Sequence, residues 1–385
     1  MSTPSSTKPI LNDTYWLSHA LELAREGMAL AHPNPRVGAV VVQDGVAVGQ
    51  GFHEYDEFDH AEIVALKKAG ARARGATLYV SLEPCCTTGR TGPCTKAIIQ
   101  AGIKKVYTVM PDPNPAVSGR GFAKLKRAGV DVQILEQSLA YAKETNEDFA
   151  KWIRTGLPFI TLKTALTLDG QIAARSGSAT WITSKASRQA VQRLRHEADA
   201  LLTGIGTVLA DDPRMTDRTS KPRRKKLFRA VIDSRLRLPF KSNLVKSADG
   251  DVAVFTTQPL DSPKALALER AGVAVVQLPA KQGHVDLHAV LRNLGKHQIL
   301  NVLLEAGAEL NGAALEAGIV DKMILFYAPK IMGTGGVPMA DLPAARWFPK
   351  SPALTNITVN RYGPDFCVQG YFHDVYRNHR ARRKN

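Results

Sequence analysis

One histidine and two cysteines constrain this chain more than any other feature: His60, which opens the triplet His60-Ala61-Glu62, and Cys85 and Cys94, the first of them preceded by Glu83 and Pro84. One nitrogen and two sulfurs form a tetrahedral zinc set with a fourth position left for water, the open arrangement of a catalytic centre. Any fold of this chain must bring those three side chains to one point. Glu62 lies two residues past the histidine, where a carboxylate can carry a proton between an activated water and a leaving group. The expectation is one zinc per chain, bound by His60, Cys85 and Cys94, with Glu62 catalytic.

His-x-Glu followed by Pro-Cys is the signature of the zinc nucleobase deaminases. Their second cysteine usually follows the first by three residues, whereas Cys85 and Cys94 are nine apart, with Thr87, Thr88, Gly89, Arg90, Thr91 and Gly92 between them.

The 385 residues, 44% of them hydrophobic, are enough for two ordinary cores, so two domains are expected. No apolar run is long enough to cross a bilayer, and residues 1–12 lack the features of a signal peptide. Four cysteines do not make a disulfide framework, and two already have a metal role, which suits the reducing cytoplasm. The formal charge is +16, and two short tracts concentrate it: residues 221–226 and 377–385 each hold five basic side chains and no acid. Both read as a solvated loop and tail, so no specific nucleic-acid partner is expected.

In chain order, Trp16, Leu17, Ala20, Leu21, Ala24 and Met28 recur at helical steps and predict a helix over 14–30, stopped by Pro33 and Pro35. Residues 37–43 and 46–51 predict strands joined at Asp44-Gly45, a hairpin signal. A helix opening near His60 should bury Ile63, Val64 and Leu66 and end before Gly70. Residues 78–82 predict a buried strand that delivers Glu83, Pro84 and Cys85, and Cys94 should start another helix. The ligands would then sit at helix starts beside strand ends, where open α/β sheets place their sites. Strands over 106–110 and 130–135, with a helix around 122–127, continue a sheet covered by helices on both faces. A helix over 138–153 closes this part. A second α/β pattern follows, with strands expected at 159–165, 200–203, 228–232, 252–256, 273–278, 300–305 and 323–327, and an antiparallel pair at 357–361 and 367–373.

Four stretches together, PNPRVG over 33–38, His60 to Glu62, EPCCTTGRTGPC over 83–94 and DPNPAVSGRG over 112–121, resemble the bifunctional deaminase/reductase family of riboflavin biosynthesis, in which the long cysteine spacer is usual. The resemblance implies a cytidine-deaminase-like, three-layer αβα domain over 1–155, a dihydrofolate-reductase-like α/β domain over 156–376, and a basic tail over 377–385. It implies zinc-dependent hydrolytic deamination of 2,5-diamino-6-(5-phosphoribosylamino)pyrimidin-4-one, then NADPH-dependent reduction of the ribosyl group to ribityl. Asn34 would hold substrate and Arg90 would reach its phosphate. Cys86 and Glu57 stand where that family usually has serine and glycine.

In the second half the residues alone say less. Gly204 to Thr207 and Gly307 could cradle a phosphate at a helix start or be ordinary strand-to-helix turns; neither completes a three-glycine dinucleotide fingerprint. Asp211 and Asp212 before Pro213 could equally stop a helix, and Cys367 reads as a small buried hydrophobe. KTALTLDG over 163–170, WITS over 181–184, TGIGTVLADDP over 203–213, Asp233-Ser234 and Glu305 to Gly307 are similar to the same family's reductase half. By that resemblance Ala165, Trp181, Thr207, Asp211, Ser234 and the turn Gly307, Ala308, Glu309, Leu310, Asn311 and Gly312 would line NADPH. Lys163, Arg195, Met215, Arg218 and Glu305 would hold substrate; Ala179 replaces a family serine. The partner expected is a pyrimidine ribosyl phosphate, with a homo-oligomer and no membrane. Two other readings fit parts of the sequence: a tRNA or nucleotide deaminase with an RNA-binding appendage, opposed by the cysteine spacing, and a zinc-stabilised RNA-binding protein in which Glu62 is idle.

Overall fold

The computed structural model describes residues 12–174, 181–343 and 351–377. Ala179 and all but the first residue of the 377–385 tail lie outside them. The chain divides into two compact units, Met1–Arg154 and Thr155–Asn385.

The first unit runs α1 (Asp13–Glu26), β1 (Gly38–Gln43), β2 (Val46–Phe52), α2 (Ala61–Ala69), β3 (Thr77–Val80), α3 (Cys94–Gln100), β4 (Lys105–Thr108), α4 (Arg120–Arg127), β5 (Asp131–Ile134), α5 (Leu139–Thr145) and α6 (Glu147–Thr155). Its sheet has the order β2-β1-β3-β4-β5, antiparallel on the β2 and β1 side and parallel from β3 to β5. Asp44 and Gly45 both have positive φ, 51° and 74°, the conformation a two-residue primed turn requires. Alternation along the strands separates two faces. Ala39, Val41, Leu78, Val80 and Val106 pack with Ala61 and Ala65 of α2, Ile98 of α3 and Leu125 of α4. On the other face α1 packs so closely on Gly38 that a side chain there would run into the backbone of Ala20 and Ala24. Helix, sheet and helix make three layers.

Three details differ from expectation. Helix α1 stops at Glu26 rather than near residue 30, because Gly27 lies against the His53 carbonyl and Ala29 takes a left-handed φ of 62°. Helix α2 turns Glu62, Ala65 and Leu66 inward and leaves Ile63 and Val64 only partly covered, so a carboxylate occupies a core-facing position. The helix expected over 138–153 breaks at Asn146, whose side chain accepts from Arg36 N (2.7 Å) and donates to Arg36 O (2.9 Å).

The second unit runs β6 (Phe159–Thr167), β7 (Gln171–Ala174), α7 (Lys185–Glu197), β8 (Ala200–Gly204), α8 (Ile205–Asp211), β9 (Phe228–Ile232), α9 (Asn243–Lys246), β10 (Val252–Thr256), α10 (Pro263–Arg270), β11 (Val273–Gln277), β12 (Ala280–Lys281), β13 (His284–Val285), α11 (Leu287–Lys296), β14 (Asn301–Leu304), α12 (Ala308–Glu316), β15 (Lys322–Ala328), β16 (Gly336–Pro338), β17 (Thr355–Tyr362) and β18 (Asp365–Tyr371). Nine strands form one sheet in the order β11-β10-β9-β8-β14-β6-β15-β18-β17. The strands from β11 to β15 run parallel, and the hairpin β17-β18 adds antiparallel to β15. Adjacent residues feed opposite cores: Leu202, Ile232 and Leu304 face α11 and α12, while Leu201, Val231 and Leu303 pack with Leu244, Ala265 and Leu268. The chain goes from β6 to β8 and later returns through β14 between them. In sheets with such a reversal the usual ligand position is beyond the C-terminal strand ends. The short pairs β16-β7 and β12-β13 were not foreseen, since runs this brief carry no periodic signal.

The 221–226 tract is not simply a solvated loop. Arg223 is folded back onto the C-terminal end of α7, and Lys226 pairs with Asp249.

Candidate active sites

In the first unit, local backbone geometry delivers the expected donors. His60 is the N-cap of α2 and makes no capping bond with its side chain, which leaves the ring free to turn away from the helix. Cys94 is the first residue of α3, and Cys85 lies in the turn beyond β3. Nδ1 of His60 is 3.5 Å from Sγ of Cys85 and 3.3 Å from Sγ of Cys94, and the three donor atoms lie within 4.8 Å of one another. Tetrahedral zinc with its ordinary bond lengths to nitrogen and sulfur sets its ligands roughly 3.5 Å apart, so the donors fit that ion in chemistry and spacing. The hydrogen bond between the two thiols pushes the Cys85 thiol down and the Cys94 thiol up, so Cys85 is the more readily ionised donor. Cys86 is not among the converging donors.

Glu62 is 3% exposed, and burial, ahead of repulsion from Cys85, pushes its carboxyl up to about 7. Two residues that the motifs did not single out for roles organise its surroundings. His53 accepts at Nε2 from the Asn34 amide (3.0 Å) and donates from Nδ1 to Asp59 O (3.0 Å), so Asn34 presents its carbonyl oxygen away from His53. Burial lowers the His53 pKa and keeps the ring neutral in this role. Glu83, just ahead of Pro84 and Cys85, accepts from the backbone N–H groups of Asp112 (3.0 Å), Gly119 (2.8 Å), Gly121 (2.7 Å) and Phe122 (3.3 Å). That cradle bolts the 112–121 segment to the cysteine turn. A side chain at Gly121 would strike the Pro84 carbonyl, which is why the motif carries glycine there. Arg90 is exposed but directed: it donates to Tyr55 O (2.9 Å) and its guanidinium lies 4.0 Å from the Tyr55 ring and 4.2 Å from the Phe58 ring.

In the second unit three expected residues meet beside the end of β14. Lys163 on β6 reaches Glu305, just past β14, at 3.1 Å. Arg195, in the last turn of α7, grips the same carboxylate through Nε (2.7 Å) and Nη2 (3.0 Å) and donates from Nη1 to Thr216 O (3.1 Å). Burial alone would raise the Glu305 carboxyl, but the Lys163 and Arg195 charges pull it down to about 2. Arg218 lies on the neighbouring segment, its N–H bonded to Gln192 (2.9 Å).

The expected cofactor residues fall along the strand ends. Helix α8 begins after β8 and α12 after β14, with Gly307 facing Thr207 and Gly204 facing Leu310. Two helix N-termini thus lie side by side, a place for phosphate oxygens. Ser234 follows β9, and its Oγ accepts from Val285 N (3.0 Å) while the hydroxyl proton can be donated elsewhere. Trp181 is 72% exposed with Arg188 over its ring, and Ala165 lies on β6.

Other expected residues also pack within the fold. Asn311 is wholly buried, its amide bonded to Ala306 O (3.2 Å) and Met339 O (2.9 Å). Gly312 packs directly on the Asp341 backbone, and Met215 has its side chain in the core. Asp211 ends α8 with its side chain exposed, and Asp212, left-handed at φ 39°, caps it. Sequence cannot separate such packing roles from ligand contacts, since both require the same residue at the same place.

Residues 11–110 match the model for the cytidine and deoxycytidylate deaminase zinc-binding region, and residues 158–368 match that for the RibD C-terminal domain. The chain is 40% identical over 369 residues to the riboflavin biosynthesis protein RibD of Escherichia coli, covering 93% of this chain and 99% of that one. Among solved structures it resembles Acinetobacter baumannii RibD with a TM-score of 0.81 at 37% identity, covering 93% and 98% of the two chains. It also resembles a diaminohydroxyphosphoribosylaminopyrimidine deaminase/5-amino-6-(5-phosphoribosylamino)uracil reductase from Thermotoga maritima, with a TM-score of 0.79 at 33% identity, covering 92% and 97%.

Proposed function

The chain belongs to the RibD family of riboflavin biosynthesis, bifunctional deaminases and reductases, and from that premise we infer how its residues divide the two reactions. The unit Met1–Arg154 carries the deamination of the diaminopyrimidine ribosyl phosphate, and Thr155–Asn385 the reduction of the ribosyl group of 5-amino-6-(5-phosphoribosylamino)uracil with NADPH. The observation that carries this assignment is that three zinc donors and a buried carboxylate converge in one unit, while a mostly buried cluster of two cations and a carboxylate lies at the strand ends of the other.

His60, Cys85 and Cys94 would hold zinc, whose Lewis acidity makes water a nucleophile near neutral pH. Glu62 takes the proton from the attacking water and passes it to the departing amino group, which leaves as ammonia. Asn34 orients the pyrimidine ring through its free carbonyl oxygen, and Arg90, aimed by Tyr55 and Phe58, takes the phosphate. In the second unit NADPH would supply the hydride to C1′ of the opened ribosylamine. Lys163, Arg195 and Glu305 hold the sugar chain, Arg218 adds a cation for the phosphate, and the paired starts of α8 and α12 with Ser234 take the cofactor phosphates.

We place the protein in the cytoplasm, where thiol ligands stay reduced; no helix among the described residues is long and apolar enough to cross a membrane. A homo-oligomer is supported by the edge strand β17, which exposes Ile357 and Val359. The test is to incubate purified protein with the diaminopyrimidine phosphate, first without and then with NADPH, following ammonia and NADPH oxidation. Ammonia in both arms and oxidation in the second are expected. Ammonia without oxidation would leave only the deaminase assignment standing.

A further inference from the structure

In the basic tract 221–226, Arg223 is folded onto the end of α7. Arg223 is 16% exposed. From Nη2 it donates to Ala198 O (2.8 Å), and from Nη1 to the carbonyls of Arg195 and His196 (both 3.4 Å). These acceptors are the last carbonyls of α7 and its cap, which have no partner within the helix and lie at the negative end of its dipole. The same Nη1 reaches Asp217 Oδ2 at 3.3 Å, an oxygen that also meets His196 Nδ1 at 2.8 Å. Asp217 in turn accepts from Thr219 N (2.8 Å) through its other oxygen. One guanidinium thus ties the end of α7 to the 215–219 segment.

Both tied pieces carry substrate groups in the reading above. Arg195 sits in the last turn of α7, and its Nη1 bonds Thr216 O; Arg218 follows Asp217 directly. We propose that Arg223 is a positioning residue for the reductase: it fixes the distance between Arg195 and Arg218, and so the pocket for the substrate's sugar phosphate. This rests on the assignment of those two arginines to substrate. The planar fork matters, because a lysine ammonium cannot reach the Ala198 carbonyl and the Asp217 carboxylate along two fixed directions at once.

A loosened clamp should weaken substrate binding without altering hydride transfer once substrate is seated. In the full chain, supplied with already deaminated substrate, R223A is expected to raise the substrate KM about ten-fold, with kcat and the NADPH KM changed by less than about two-fold. Deamination should be unaffected. R223K keeps the charge at the helix end and should keep the melting temperature, yet still raise the substrate KM; it carries the test if R223A folds poorly. K226A, which removes the exposed pair with Asp249, should leave the substrate KM unchanged. An R223K enzyme with wild-type substrate KM, a parallel loss in the NADPH KM, or an equal effect of K226A would each overturn the proposal, the last by making overall charge the cause. R195A and R218A separate it from its premise: if both leave the substrate KM unchanged, the substrate assignment fails, whereas if both raise it and R223K does not, only the clamp fails.

Discussion

Glu62 is buried and Glu305 nearly so, each at the heart of a candidate site, yet their carboxyls are driven in opposite directions, to about 7 and about 2. Burial pushes each up. Glu305 faces Lys163 and Arg195 within hydrogen-bond distance, and their attraction outweighs the loss of water. Glu62 faces two thiols and a histidine instead, and the pull of His60 is smaller than the effect of burial. The difference separates a group that can take up and release a proton from one fixed as an anion that orders its neighbours. It also separates two ways of building a site: His60 and Cys94 are 34 residues apart, each placed by a helix start, whereas Lys163 and Glu305 are 142 apart and meet because β6 and β14 are neighbours.

The largest effect should come from removing the movable proton. Glu62→Gln keeps the shape and the zinc but cannot shuttle, so deamination should fall by about 10² to 10⁴-fold. Metal analysis should still find about one zinc per chain, and NADPH oxidation with deaminated substrate should proceed at nearly the normal rate. A matching loss of reduction would mean that the two sites are not independent.

Cys85→Ser should lose most of its zinc while Cys86→Ser keeps it, since only the former sulfur is a converging donor. Zinc retained in the first and lost in the second would overturn the ligand assignment.

Glu305→Ala leaves two mostly buried cations without their anion, and removing one partner of such a pair costs up to about 3 to 5 kcal/mol. Denaturant unfolding of the second unit measures this. The pH dependence has a definite sign. Because the folded carboxyl is lowered from 4.5 to about 2, its stabilisation is complete above the unfolded value and is lost as pH falls from about 4.5 to about 2. Glu305→Gln should lack that acid-side loss, and a variant that keeps it would shift the cause to other carboxylates.

The smallest effect concerns the cofactor. If Ser234 with Arg235 recognises the 2′-phosphate, replacing both by alanine should cut the NADPH to NADH ratio of kcat/KM about ten-fold, at low and at high salt alike, because hydrogen-bonded contacts are screened less than distant charge. A ratio unchanged in the double variant sinks that pocket.

Much of the deaminase site was legible because its chemistry imposes residue types at short range. A zinc donor must be cysteine, histidine or carboxylate, and the flanking turn signals place each donor at a strand end or helix start. Asn146 and His53 were not legible. Asn146 sits within a helix-compatible run, and only the Arg36 backbone lying beside it explains the break. His53 has no motif of its own; its role exists only through Asn34 and Asp59, reached from other turns of the chain.

By itself the sequence determined which three metal-type donors converge, the hairpin at Asp44-Gly45 and the two α/β patterns, because donor chemistry, turn stereochemistry and side-chain periodicity are properties of residues and their near neighbours. Only the tertiary structure decided that Glu83 accepts four N–H groups from a segment 29 to 39 positions on, that Glu305 is an anion between two cations, and that Arg223 leaves its basic tract to close the end of α7. In each case the energy comes from a buried charge meeting a partner brought close by the fold, and a partner's distance in space is not written in its distance along the chain.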